Sequence, residues 1–413
     1  MKTDVAIIGA GPGGTACALA LAQRGIESAL IEKEAFPRYH IGESMTGECG
    51  NAVRSLGLED EMKRRSYPVK HGVRVFGPTG NAFWVPVMGR DPETGLFEAT
   101  TWQVPRAEFD ALMLDAALER GATFVQGEAI AALREGEDVS GVRVRTDAGE
   151  EELEARVVVD ASGPAAFLSR AGVIGRKERG LYDNQLAVFS QVTGAVRDPG
   201  PDGGNTLIFY NKPGQWSWFI PLDDDVVSVG VVVPAEYFKE QGLSKADFLR
   251  QEIVRLNPAL TERLGDVEFV EEARAVSNYS YEIPHYTGAR HLCIGDAHRF
   301  IDPVFSFGLH FAVKEGQFAA EAIERLFAGE AADPSDPFRD YQIVSTRGME
   351  AIQTLIDAFW ERPTQFALIA HQKHPEETID LFAGRVYGEE PSKALIAMRQ
   401  IVNKARGLPI DAA

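Results

Sequence analysis

The sequence predicts an α/β fold with three parts: a parallel nucleotide-binding core, a mixed β-sheet inserted into that core, and a small helical region at the C-terminal end. Three observations carry this. A glycine-rich turn follows the short apolar run at residues 5–8, alternating apolar segments crowd residues 171–285, and helical periodicity broken by prolines fills residues 336–413. At 413 residues the chain can bury a large core and divide into more than one structural region.

The elements follow in order. Residues 4–8 read as a strand, residues 13–24 as a helix, and residues 28–31 as a second strand that delivers Glu32 at its carboxyl end. Helical spacing resumes at residues 109–119, followed by a strand at 123–125 and a strand pair before Asp160-Ala161-Ser162-Gly163. Strands are then expected at 185–192, 206–210, 217–220 and 226–233, with a loop at 199–204. Nucleotide chemistry returns at residues 291–295, so the core is discontinuous: residues 1–66, 107–170 and 286–335 form it, residues 67–106 and 171–285 form a substrate domain, and residues 336–413 are helical.

Composition narrows the function classes. With 45% hydrophobic and 25% charged residues the chain is a folded protein. Its net charge of -19 argues against a nucleic-acid partner, which requires a concentrated basic surface, yet leaves room for a local basic entrance for an anionic substrate. Cys17, Cys49 and Cys293 lack metal-ligand or redox-pair spacing, so no metal is expected and the thiols read as isolated and reduced. Residues 5–8 are too few to span a bilayer and no signal peptide precedes them, which together predict a cytoplasmic enzyme without a membrane span.

Gly9, Gly11 and Gly14, within Gly9-Ala10-Gly11-Pro12-Gly13-Gly14, satisfy G-x-G-x-x-G between a strand and a helix. The first glycine permits the tight turn, the second the approach of a pyrophosphate, and the third close helix-strand packing. Glu32 is placed to bond a ribose hydroxyl and argues against a ribose phosphate. A second cradle at Cys293-Ile294-Gly295-Asp296-Ala297, followed by Asp302-Pro303, favours FAD over a nicotinamide cofactor, because a carboxylate at a strand end can meet cofactor hydroxyls while a helix start faces an anion.

These motifs resemble the FAD-dependent monooxygenase superfamily, which implies a Rossmann-like FAD-binding core, Arg38 near the pyrophosphate and Asp296 near the ribityl chain. Arg106, in Trp102-Gln103-Val104-Pro105-Arg106, is then either a cofactor support or an ordinary salt-bridging residue at a helix start. The segment Phe36-Pro37-Arg38-Tyr39-His40-Ile41-Gly42-Glu43-Ser44 and the pattern W-x-W-x-I-P at Trp216, Trp218, Ile220 and Pro221 narrow the resemblance to flavin-dependent halogenases, the branch acting on phenolic or pyrrolic groups. It covers most of residues 1–335.

In strand geometry Trp216 and Trp218 share one face and make a wall. The resemblance implies that this wall separates the flavin from an aromatic substrate, and that Lys70, in Pro68-Val69-Lys70-His71-Gly72, is catalytic. Its ammonium would hydrogen-bond hypohalous acid, or its neutral amine would form a haloamine. It also implies that backbone groups at Phe307 and Gly308 hold chloride or bromide. Phe307 stands where this family commonly has a small serine, so a narrowed halide site is expected. Further implied are an aromatic substrate, free or carrier-tethered, and a separate flavin reductase, since no second dinucleotide cradle is visible. The alternatives are an aromatic FAD hydroxylase that takes electrons from NAD(P)H and a reductase of unsaturated substrates. His71, His298 and His310 have no orienting carboxylate nearby in sequence and are expected in structural or peripheral roles; Glu350 is a candidate acid without a family counterpart; and Tyr67, Phe76, Trp84, Phe359 and Trp360 offer either apolar substrate surfaces or ordinary core packing.

Overall fold

The computed structural model describes residues 1–182, 184–277 and 280–409. Lys2–Ile8 runs parallel between Ser28–Glu32 on one side and Gly149–Asp160 on the other. Thr123–Gln126 adds in parallel beyond Ser28–Glu32, and His291–Cys293 pairs in parallel with the last residues of Gly149–Asp160. The runs Val5 to Ile8 and Val157 to Val159 are buried throughout, as strands covered on both faces require.

Where a strand pair is expected before Asp160, the structure has three antiparallel strands, Glu128–Glu135, Asp138–Thr146 and Gly149–Asp160. The first is alanine-rich, and alanine is a weak strand former that blurs alternation. The helix Pro12–Ala22 is apolar on every side because it lies between the sheet and the helix Gly308–Ala328. The two helices approach closely at Gly316, where a Cβ would stand 2.7 Å from the Gly13 carbonyl oxygen.

The inserted sheet has the order Glu268–Phe269, Gln185–Thr193, Val227–Pro234, Gln215–Pro221, Thr206–Lys212, Gly72–Phe76, Ala82–Pro86. Gln215–Pro221 therefore lies at its centre, and every residue in it is buried. Alternation sorts its two faces into separate cores. Trp216, Trp218 and Ile220 join Phe305, Phe307 and the helix Arg339–Glu361, whereas Phe219 joins Phe248 and Leu260 of the helices Lys245–Arg255 and Pro258–Leu264. The expected loop at 199–204 contains a short 3-10 turn, Gly200–Gly204.

The C-terminal region is helical: Arg339–Glu361, Pro363–Leu368, Pro375–Ala383 and Lys393–Arg406. Prolines open the second and third, and the Ser392 hydroxyl caps the last by accepting from the Leu395 N–H. Among the described residues no helix is long and apolar enough to cross a membrane.

Candidate active site

The glycine turn is closed by contact with the sheet. Gly9 has φ +100°, and a Cβ there would stand 2.4 Å from the Ala161 carbonyl oxygen; a Cβ on Gly14 would lie 2.0 Å from the Gly9 oxygen. Gly11 meets only the Arg38 guanidinium, at 3.6 Å, so the start of the Pro12–Ala22 helix has an open approach with a cation beside it. Gly13 faces Ile294 and the Gly308–Ala328 helix instead. Glu32 accepts from the N–H groups of Ala10 (3.1 Å) and Glu34 (2.9 Å), which fixes its carboxylate at the strand end.

Arg38 and Arg106 converge on one buried carboxylate. Asp110 pairs with both Arg106 nitrogens at 2.7 and 2.9 Å and with Arg38 at 3.2 Å. Arg106 also donates to the carbonyl oxygens of Ile41 (2.6 Å) and Gly42 (3.3 Å), fixing the segment that ends in Glu43 and Ser44. Of the two readings of Arg106 the ion pair is present, and the same guanidinium holds the Ile41–Gly42 backbone. The Arg38 Nε is buried without a hydrogen-bond partner and faces the Glu34 carboxylate at 3.6 Å. Burial raises the Glu43 carboxyl, while the Ser228 hydroxyl, the Gly42 N–H and Arg106 favour its charged form.

Gly295 and Asp296 lie on the turn after His291–Cys293, with Asp296 close enough to Arg106 for their charges to interact. Loss of hydration raises the half-buried Asp296 carboxyl to about 7, and Arg106 opposes the shift. Beneath this turn lies Glu315, which accepts from the Gly295 N–H (2.5 Å) and the Ser345 hydroxyl (2.6 Å) and pairs with the His298 Nε2 at 3.0 Å. The open helix start with the Arg38 guanidinium beside it, the strand-end Glu32 and the second carboxylate at Asp296 together fit FAD.

The loop expected to hold halide turns at Ser306, with φ +61°, and enters the Gly308–Ala328 helix. Asp302 accepts from the Val304 N–H at 2.9 Å and its carboxyl is pushed up to about 7 by burial. The Phe307 ring is buried against His310 and Phe311, at 5.6 and 5.9 Å, whereas Gly308 is exposed with open space where a side chain would stand. The backbone at Gly308 is therefore accessible even though its neighbour is bulky.

The two indoles lie 5.9 Å apart on one face of Gln215–Pro221. Trp218 fits only because Gly230 stands opposite, where a Cβ would come within 2.2 Å of the ring, and its Nε1 donates to the Ser228 hydroxyl at 3.1 Å. An aromatic run from Tyr39 to Phe189 (6.4 Å) to Trp218 (6.1 Å) joins the wall to the Arg38–Ser44 side of the cofactor approach. Ile220 extends the indole face, and Pro221 ends the strand.

Lys70 is buried. Its ammonium donates to the Ser44 hydroxyl (2.8 Å) and the Met45 carbonyl oxygen (2.9 Å), and burial depresses it to about 7, opposed only weakly by Cys49. Ser44 in turn bonds Thr206 at 2.8 Å, and Gln103 donates to the same Thr206 oxygen at 2.8 Å. Thr206 immediately precedes Leu207, which pairs with Phe219, so the lysine network lies at the Ile220 end of the wall. Asn205 accepts from the N–H groups of His71 and Gly72, at 2.8 and 2.9 Å, and pins the turn after Lys70.

Other singled-out residues disperse. His310 bonds Thr46 at 3.1 Å and is kept neutral by burial, at about 3. Phe359 and Trp360 join the wall-side core; Phe76 stacks on Phe209 at 4.8 Å, and Trp84 is 36% exposed. Glu350 lies in the C-terminal cleft, and the three cysteines are buried and unpaired. Sequence reading missed Asp110, Gly230, Thr206, Gln103 and Glu315. Asp110 is four residues after Arg106, a spacing that signals a helical ion pair once the helix is begun at Arg106, and a lone glycine in the valine-rich strand Val227–Pro234 signals close approach. The other three carry no local signal.

Residues 2–335 match the FAD binding domain family. The chain is 36% identical over 405 residues to the 1H-pyrrole-2-carbonyl-[peptidyl-carrier protein] brominase of Pseudoalteromonas luteoviolacea, covering 97% of this chain and 96% of that protein. It is 28% identical to the corresponding chlorinase of Pseudomonas fluorescens, covering 97% and 93% of the two chains. Its fold superimposes on the flavin-dependent brominase Bmp2 with a TM-score of 0.92, at 36% identity and 98% and 100% coverage. The chain belongs to the FAD-dependent halogenases of the phenol and pyrrole branch, within the FAD-binding monooxygenase superfamily, and is a flavin oxidoreductase that uses FAD with chloride or bromide as cosubstrate.

Proposed function

We propose that this chain halogenates an electron-rich pyrrole or phenol presented as an acyl thioester on a carrier protein, in the cytoplasm, with reduced FAD supplied by a separate flavin reductase. The observation that carries the reading is a buried lysine, poised near neutrality, at one end of a tryptophan wall whose other neighbours hold the cofactor approach. End-to-end similarity to a brominase named for a carrier-bound pyrrole supports the substrate class. Residues 1–66, 107–170 and 286–335 hold the cofactor in this reading; residues 67–106 and 171–285 shape the substrate side, and residues 336–413 cover it.

Bound FAD supplies the oxygen chemistry that converts halide to hypohalous acid. Gly9, Gly11, Pro12, Gly13 and Gly14 shape the pyrophosphate turn, Arg38 neutralises it, and Glu32 takes the ribose hydroxyls. Gly295 and Asp296 take the ribityl side, with Arg106 fixing Ile41, Gly42, Glu43 and Ser44 around the cofactor. The N–H groups at Phe307 and Gly308 hold the halide. Trp216, Trp218, Ile220 and Pro221 keep the aromatic ring away from the flavin, which disfavours direct oxygen transfer to it. Lys70 receives hypohalous acid at the Ile220 end and raises its electrophilicity through an N–H bond, or carries the halogen as a haloamine. Its link to Ser44 fixes where the nitrogen waits.

The test supplies reduced FAD, oxygen and bromide or chloride with free and carrier-bound pyrroles and phenols, followed by mass spectrometry. Halogen isotope patterns on the carrier-bound ring are expected. Oxygen insertion without halogen would favour the hydroxylase.

A further inference from the structure

Resting on the carrier-tethered reading above, we infer that the outer face of the helix Lys393–Arg406 and the cleft beside it form the docking surface for an acidic carrier domain. In a chain of net charge -19, residues 391–409 contain Lys393, Arg399, Lys404 and Arg406 and no aspartate or glutamate. Arg406 is engaged by Asp357 at 2.8 Å and by Glu361, whereas among the described residues no ion pair engages Lys393, Arg399 or Lys404. Helical spacing places Lys393, Gln400 and Lys404 along one ridge, opposite the buried Ala394, Leu395, Met398 and Val402, while Arg399 lies about 120° around the helix from that ridge, at the cleft. An acidic partner repelled by the rest of the surface is steered to this ridge.

The cleft itself has the chemistry of a tether. It encloses about 310 Å³ between Arg339–Glu361 and Lys393–Arg406, and Gln353, Thr354 and Asn403 line it with amide and hydroxyl groups. A pantetheine arm, with its two amides and hydroxyl, finds donors and acceptors there. At its floor Asp357 accepts from the Tyr182 hydroxyl and from Gln353, and lies close enough to Asp302 of the halide loop to act on its charge. The buried sides of the same two helices, including Ile352, Leu355 and Val402, share one core with Trp216 and Trp218. A tethered acyl group docked beside Arg399 would therefore lie over the core that backs the indole face of the wall.

The test compares a pyrrole-2-carbonyl thioester on an acidic holo-carrier domain with the same acyl group on pantetheine alone, using the full chain with reduced FAD and bromide. The double charge reversal Arg399→Glu and Lys404→Glu is expected to lower kcat/KM for the carrier thioester, relative to the pantetheine thioester, by about tenfold or more, chiefly through KM. A carrier whose recognition helix is changed from acidic residues to lysines is expected to recover much of that loss, and raised salt is expected to weaken carrier use by the wild type. Arg399→Gln with Lys404→Gln gives a milder form should the reversal disturb folding, as melting would reveal. An unchanged ratio in both variants, or no rescue by the altered carrier, overturns the docking surface. Wild-type halogenation of the pantetheine thioester alone also overturns it while leaving halogenation intact; halogenation of neither thioester overturns the carrier-tethered reading itself, and the docking surface with it.

Discussion

The nucleotide cradle and the lysine end of the wall are both buried polar sites, and they are built in opposite ways. The cradle is largely local: Gly9 to Gly14, Glu32 and Arg38 lie within one strand-turn-helix-strand unit, and its fit is set by glycine contacts and by a fully paired carboxylate, Asp110. The lysine end draws Ser44, Lys70, Gln103 and Thr206 from four separate segments, and its central cation has hydroxyl and carbonyl partners but no partnering carboxylate. A carboxylate would hold the lysine charged; neutral partners leave it titratable near 7. The cradle is thus built to hold fixed charge, and the lysine end to allow charge to change.

The comparison breaks most severely at Arg106. Arg106→Ala leaves Asp110 buried with only Arg38 against it and releases the Ile41 and Gly42 carbonyls, so stability should fall by about 3 to 5 kcal/mol. Chemical denaturation measures the loss, and Asp110→Asn in the same chain should recover part of it. Recovery to wild type by the asparagine alone would show that Arg106 has no further role at the cofactor segment.

Lys70→Ala should lower halogenation by about a hundredfold or more while flavin oxidation and peroxide release continue. The pH profile sharpens the role. An acting ammonium predicts halogenation that falls as pH rises through about 7, and an acting neutral amine predicts a rise through the same value. Stability carries its own sign: because the folded-state value is depressed, between about 7 and 10.5 the unfolded chain holds a proton that the folded chain has released. The burial penalty is therefore complete below that window and fades as pH rises through it. Lys70→Met should abolish this part of the stability profile.

Gly230→Ala should cost about 1 to 3 kcal/mol and displace the Trp218 ring, because the new methyl meets it at van der Waals overlap. A near-ultraviolet circular dichroism change with more peroxide released per product is the expected signature. Unchanged coupling would mean that the position of Trp218 does not govern where the oxidant goes. Thr206→Val should act least, about 1 kcal/mol, by leaving Gln103 and Ser44 without a common partner. Its informative readout is a shifted pH midpoint for halogenation, which lost packing alone does not produce.

Much of the cradle was legible because the chemistry demands glycine where backbone crosses backbone, and the residues that cross lie close in sequence. The wall was legible for a related reason: period-two alternation places Trp216, Trp218 and Ile220 on one face once the run is a strand. The Ala-rich strand Glu128–Glu135 escaped because its side chains give little alternation to read. Glu315 escaped because its partners Gly295, His298 and Ser345 come from two other elements, and a glutamate inside an amphipathic helix reads as solvent-facing. His298 has no orienting carboxylate nearby in sequence, and folding supplies it with this one, 17 residues away.

The α/β class, the dinucleotide turn and the shared face of the two indoles follow from local backbone geometry and motif spacing, and Lys70 became a candidate through resemblance to the halogenase family. Only the tertiary structure decided that Arg38 and Arg106 share Asp110, that Gly230 makes room for Trp218, and that Lys70 ends among hydroxyl and carbonyl oxygens rather than against a carboxylate. The physical reason is that a side chain's charge state and clearance depend on which distant groups replace its water, and folding brings those groups together.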